Sequence, residues 1–122
     1  MIAYATLGTN DFARACTYYD ALLGELGGQR FLETDRIVLW ASAPDAPMMA
    51  VCTPYDEQAA TPGNGTMIAL AAGSREDVDR LHRKALELGG STEGEPGVRA
   101  ERFYIGYFRD LDGNKLCFFA PV

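Results

Sequence analysis

The chain has 122 residues, of which 48% are apolar and 23% charged. That balance suits one ordinary globular core and calls for no metal or disulfide staple. A net charge of −6 argues against nucleic acid held by a basic surface. It serves solubility first and, more weakly, favours neutral or cationic ligands.

No apolar run is long enough for a membrane-spanning helix, so no membrane role is expected. The opening Met1-Ile2-Ala3-Tyr4-Ala5-Thr6-Leu7 has no basic leader and no cleavage site, and it reads as the first strand of a cytoplasmic protein. Three widely spaced cysteines, Cys16, Cys52 and Cys117, speak against a disulfide framework. No CxxC occurs and His82 is the single histidine, which excludes a His-rich metal cluster.

Residues 1–8 form a predicted strand. Asn10 reads as a helix N-cap with Asp11 in the first turn, where its charge suits the helix dipole. Phe12, Cys16, Tyr19, Leu23 and Leu26 fall on one helical face, and Gly27-Gly28 ends that helix. Gln29 to Glu33 and Arg36 to Ala41 read as strands about a Thr34-Asp35 turn, and Met48 to Thr53 as another. Pro54 to Gly65 is a linker.

The pattern then repeats. Thr66 to Ala72 is a predicted strand, and Ser74 caps a helix whose Val78, Leu81, Ala85 and Leu88 share a face. Gly89-Gly90 stops it. Strands follow near Ser91 to Glu93, Arg102 to Arg109 and Lys115 to Phe119, the last two joined by Asp110-Leu111-Asp112-Gly113-Asn114. Both helices end in Leu-Gly-Gly. The reading is an α+β fold of two βαβββ modules, 1–53 and 66–122, joined by 54–65. Each small sheet hides one face under its helix, and two such sheets facing each other would make a half-open mixed β-barrel with a ligand cleft.

The strand and cap Thr6-Leu7-Gly8-Thr9-Asn10-Asp11 and the hairpin Tyr107-Phe108-Arg109-Asp110-Leu111-Asp112-Gly113-Asn114-Lys115-Leu116 resemble those of the glyoxalase/bleomycin-resistance/extradiol-dioxygenase (vicinal oxygen chelate) superfamily. That family's hairpin normally reads Phe-x-Asp-Pro-Asp-Gly-Asn, and Leu111 stands where its proline would be. The resemblance spans essentially the whole chain and implies a homodimer with two clefts. In the family's metalloenzymes each cleft holds a divalent metal that binds vicinal substrate oxygens.

The resemblance places those metal-ligand positions on Tyr4, on Val51 (or Cys52, one residue along), on Met67 and on Cys117. Tyrosine, valine, methionine and cysteine are not the oxygen and imidazole donors that a hard divalent ion needs. The expectation is therefore no metal and no other cofactor. Tyr4, Thr6, Trp40, Val51, Met67, Tyr107 and Cys117 would instead line an apolar, aromatic cleft for a small organic molecule, following the bleomycin-resistance branch. The alternative is a glyoxalase-like metal-dependent lyase, isomerase or dioxygenase with other ligands, such as Glu33, Asp56 or Glu101. A partner-binding or purely structural dimer module is a third reading. His82, on the second helix, is expected at the surface, and Cys117 lacks an adjacent base that would make it a nucleophile.

Overall fold

A computed structural model describes all 122 residues. The elements run β1 (Tyr4–Gly8), α1 (Phe12–Gly24), β2 (Gln29–Glu33), β3 (Ile37–Ala41), β4 (Met48–Cys52), β5 (Ile68–Ala71), α2 (Arg75–Glu87), β6 (Ser91–Arg99), β7 (Phe103–Arg109) and β8 (Lys115–Pro121). The chain is α+β, two βαβββ modules in sequence. It divides into two compact units, Met1–Pro62 and Gly63–Val122.

In the first unit the strand order is β1-β4-β3-β2, with β1 parallel to β4 and the other pairs antiparallel. Strand side chains alternate faces, and register sorts them. Leu7, Val51 and Val38 lie side by side on one face, as do Met49 and Trp40, and all five are buried. They pack with Ala15, Cys16, Tyr19, Leu22 and Leu23, the buried side of α1. The opposite face of this sheet carries no helix.

The second unit repeats the plan in the order β5-β8-β7-β6, with β5 parallel to β8. Phe108 and Phe118 stack at 5.2 Å between centroids, fully buried with Leu116 and with Val78, Leu81 and Ala85 of α2. Helix α2 packs on β6, β7 and β8. Again one sheet face is left without a helix.

Local chemistry explains the element ends. Asp11, not Asn10, caps α1: its carboxylate accepts from the Arg14 N–H at 3.2 Å. Asn10 instead brackets Ala60, donating to its carbonyl at 3.1 Å and accepting from its N–H at 2.7 Å. That two-point bond ties the following loop to the start of α1, and a cap assigned from sequence neighbours alone misses it. Ser74 caps α2 as expected, accepting from the Asp77 N–H at 3.1 Å.

Strand β6 is nine residues long, where the sequence suggests only Ser91 to Glu93. Gly94, Pro96 and Gly97 read as breakers, but the register shifts at Gly94 and again before Gly97. Two irregularities of this kind accommodate the proline, which cannot donate to the ladder. Beyond it, the β7–β8 hairpin is organised by the Asp110 carboxylate. It accepts from the N–H groups of Asp112 and Asn114 at 2.9 Å each and from the Asn114 amide at 3.0 Å.

Candidate functional site

The helix-free face of the second sheet is built from four strands. Register places Ala69 and Ala71 of β5, Lys115, Cys117 and Phe119 of β8, Phe103, Ile105, Tyr107 and Arg109 of β7, and Gly94, Gly97 and Arg99 of β6 on that face. On this face the edge strands carry alanine, glycine and Arg99, and the middle strands carry the aromatic residues; this strip is the candidate trough. Phe103 and Phe119 meet edge to face at 6.0 Å.

Tyr107 lies opposite Cys117 in the ladder. Two cations lie over its ring: the Arg99 guanidinium 5.8 Å and the Lys115 ammonium 5.2 Å from the centroid. The ring's negative face draws both. The glycines let Arg99 reach it. A Cβ on Gly97 would stand 2.7 Å from the Arg99 Nη1, and one on Gly94 3.1 Å from the tyrosine ring. Arg99 donates to the carbonyls of Glu95 at 2.9 Å and Val98 at 3.4 Å, and neither acceptor carries a charge. Arg109 is paired with Glu93 at 2.8 Å, and that hydrogen bond holds the Glu93 carboxyl below its usual range.

Cys117 is 1% exposed, and burial pushes its thiol up against the weaker opposing field of Lys115. Burial therefore works against the thiolate that a nucleophile needs.

Of the residues expected in the cleft, Tyr107 and Cys117 share this trough. Met67 precedes β5 and is 43% exposed. Tyr4 and Thr6 lie on the helix-free face of the first sheet, both exposed, beside Met48 and Ala50. Trp40 and Val51 do not belong to such a face. Register turns both toward α1, where Trp40 packs on Tyr19 and donates to Asp20 at 2.9 Å. The neighbour of Val51, Cys52, faces the other way with Gly8 and Ile37.

His82 also departs from expectation. It is buried at 2% exposure, with Nε2 3.0 Å from the Tyr107 carbonyl oxygen and 3.3 Å from the Thr92 hydroxyl. The reason is Gly106 on the facing strand. A Cβ there would stand 3.0 Å from the imidazole, so the missing side chain is the histidine's seat. Arg99 is a contributor not evident in the sequence, because Gly94, Pro96 and Gly97 read as the end of the strand. The spacing Gly97-x-Arg99 before the Phe103 strand is the signal that could have found it.

A separate depression of about 600 Å³ lies in the first unit, lined by Thr9, Asp35, Arg36, Tyr55 and Glu57 among others. Arg36 is engaged there with the Thr53 carbonyl at 2.6 Å and lies over the Tyr55 ring.

Comparison with known proteins fixes the lineage. Residues 1–118 match the Glyoxalase/Bleomycin resistance protein/Dioxygenase superfamily. The chain belongs to this superfamily. A glyoxalase/bleomycin resistance protein from Albidiferax ferrireducens T118 is 34% identical, with a TM-score of 0.87 over 98% of this chain and 97% of that one. A hypothetical protein from S. aureus is 25% identical, with a TM-score of 0.77 over 98% and 92%. Lactoylglutathione lyase from Agrobacterium tumefaciens shares the fold, with 16% identity and a TM-score of 0.72 over 98% and 92%. No curated protein matches the chain.

The superfamily's metal does not fit this donor set. The positions that the resemblance assigns to its ligands offer a phenol, a thiol at Cys52 (Val51 being turned toward α1), a thioether and a buried thiol. The carboxylates considered as substitutes do not supply a site either. Glu33 is paired with Arg30, Asp56 accepts from the Gln58 N–H, and Glu101 sits in an exposed turn at φ 56°. No group of three or more His, Cys, Asp or Glu residues is arranged to hold a metal ion.

Proposed function

We propose that this superfamily member binds a small organic molecule without metal, against the helix-free face of its second sheet. The observation that carries the reading is the aromatic strip that register assembles on that face. Phe103, Ile105, Tyr107 and Phe119 offer aromatic and apolar surface beside small flanking residues, with polar groups at its margin. Ligand sites typically combine a mostly apolar, aromatic lining with a few placed polar groups. The donor chemistry at the superfamily's metal positions supports the metal-free part.

The same reading takes the protein as a cytoplasmic homodimer. All three cysteines are free thiols, which suits a reducing compartment. Light scattering at micromolar concentration tests the dimer, and a monomer there would remove it.

Elemental analysis of protein purified without chelator or nickel affinity tests the metal-free reading. Thermal-shift titration with nickel, zinc, manganese and iron(II) follows. Stoichiometric metal, or stabilisation specific to one ion, would overturn it. A broad fragment screen read by amide chemical shifts then tests the trough: hits should perturb Tyr107, Cys117 and Phe119, and hits confined to other surfaces would move the site.

A further inference from the structure

We infer that the ligand of the second-sheet trough carries an anionic group, a carboxylate or a phosphate, attached to an aromatic or apolar body. The inference rests on the proposed binding at that trough and names the class of molecule it takes. It runs against the net charge of −6, which taken alone favours a cation.

The local charges decide the matter. Arg99, Lys115 and Arg109 all belong to this face, against one carboxylate, Glu93, which Arg109 already engages at 2.8 Å. The Glu95 carboxylate lies on the other side, 4.0 Å from the His82 imidazole, so only its carbonyl reaches Arg99. Neither Arg99 nor Lys115 has an ion-pair partner; both lie over the Tyr107 ring instead. Lys115 feels the Glu93 carboxylate, but that one anion is hydrogen-bonded to Arg109, so the two half-exposed cations beside the ring leave a seat of net positive charge. A carboxylate or phosphate is the group that completes it, by charge-assisted hydrogen bonds to a guanidinium and an ammonium. Below the seat, Ile105, Phe103 and Phe119 continue the trough and would hold the uncharged body of the molecule.

Arg99 is held in place by an absence. Its guanidinium lies across Gly97, so Gly97→Ala would push it aside while keeping its charge. Gly97 has no left-handed backbone requirement, so alanine is compatible there.

The test is an amide-shift titration of the whole chain with benzoate and phenyl phosphate, against neutral benzamide and cationic benzylamine. Variants are Arg99→Gln, Lys115→Gln, Lys115→Arg and Gly97→Ala. The inference expects the two anions to bind more tightly than the other probes, with shifts centred on Tyr107 and Cys117. Arg99→Gln, Lys115→Gln and Gly97→Ala should each weaken benzoate about three- to tenfold, as loss of one solvent-exposed hydrogen-bonded ion pair does, and Lys115→Arg should retain it. Raising salt on the unaltered protein should weaken benzoate and leave benzamide unchanged, a readout that survives if a variant fails to fold. Benzamide or benzylamine binding the trough as well as benzoate would overturn the anion class while leaving small-molecule binding intact. No trough perturbation by any probe would overturn the inference, and the fragment screen would then decide the parent reading separately.

Discussion

The His82 imidazole Nε2 lies 3.0 Å from the carbonyl oxygen of Tyr107, the residue whose ring carries Arg99 and Lys115 on the opposite face of the sheet. One strand residue thus joins the buried helix side to the exposed trough. Its backbone is fixed by the core and its side chain is presented to solvent.

Replacing His82 with alanine removes that bond and leaves a void over Gly106. We expect a loss of about 2–4 kcal/mol, read as a lower urea midpoint. Gly106→Ala should cost about 1–3 kcal/mol, since its Cβ would stand 3.0 Å from both the imidazole and the Pro96 ring. The double variant should be less destabilised than the sum, because removing the ring frees room for the new methyl. Strict additivity in urea melts would show that the two do not share a site.

Asp20 joins α1 to β2 and β3, accepting from Arg30 at 2.8 and 2.9 Å and from the Trp40 indole at 2.9 Å. The Arg30 hydrogen bond, more than that of Trp40, holds its carboxyl below the ordinary aspartate value. A depressed folded-state pKa stabilises above the ordinary value, about 3.9, and that stability is lost as pH falls through the folded one. The Asp20 side chain is 44% exposed, so the expected loss in Asp20→Asn at neutral pH is only about 0.5–1 kcal/mol. The difference from the unaltered protein should vanish at strongly acid pH; a gap that persists there would show that charge is not its cause. Trp40, the single tryptophan, reports the melt by fluorescence.

Asp110→Ala should cost about 2–3 kcal/mol by removing the acceptor of the Asp112 and Asn114 N–H groups in a turn where Asp110 and Asn114 are buried. Amide exchange should quicken first at residues 110–114. Unchanged exchange there would remove Asp110 as the organiser of the turn.

Cys16 and Cys117 are buried, and desolvation raises both thiols. Cys52, half-buried, should label first with a thiol reagent, the other two only on unfolding. A raised folded-state pKa contributes stability that is complete below the ordinary thiol value and lost as pH rises through the folded one. Stability should therefore decline on the alkaline side, less so in Cys117→Ala relative to its own neutral value. Rapid labelling of Cys117 in the native protein would contradict its burial.

Much of this was legible in sequence, because it rests on local rules. The repeated strand–helix–strands order, the Leu-Gly-Gly helix ends and the Asp-Gly hairpin depend on neighbours a few residues apart, and the chain alone determined the two βαβββ modules and their superfamily. Strand alternation likewise groups Lys115, Cys117 and Phe119 on one side of the last strand.

The tertiary structure decided what depends on partners distant in sequence. A one-residue choice of register sent Val51 and Trp40 to the helix side, since adjacent strand residues point in opposite directions. Gly106 made an interior place for His82, and Ala60 took Asn10 away from the helix that follows it. Two bulges let β6 run past Pro96, and two glycines let Arg99 lie over Tyr107. A side chain's surroundings are set by which strand lies beside it, and pairing between strands is a property of the folded sheet, not of any one segment.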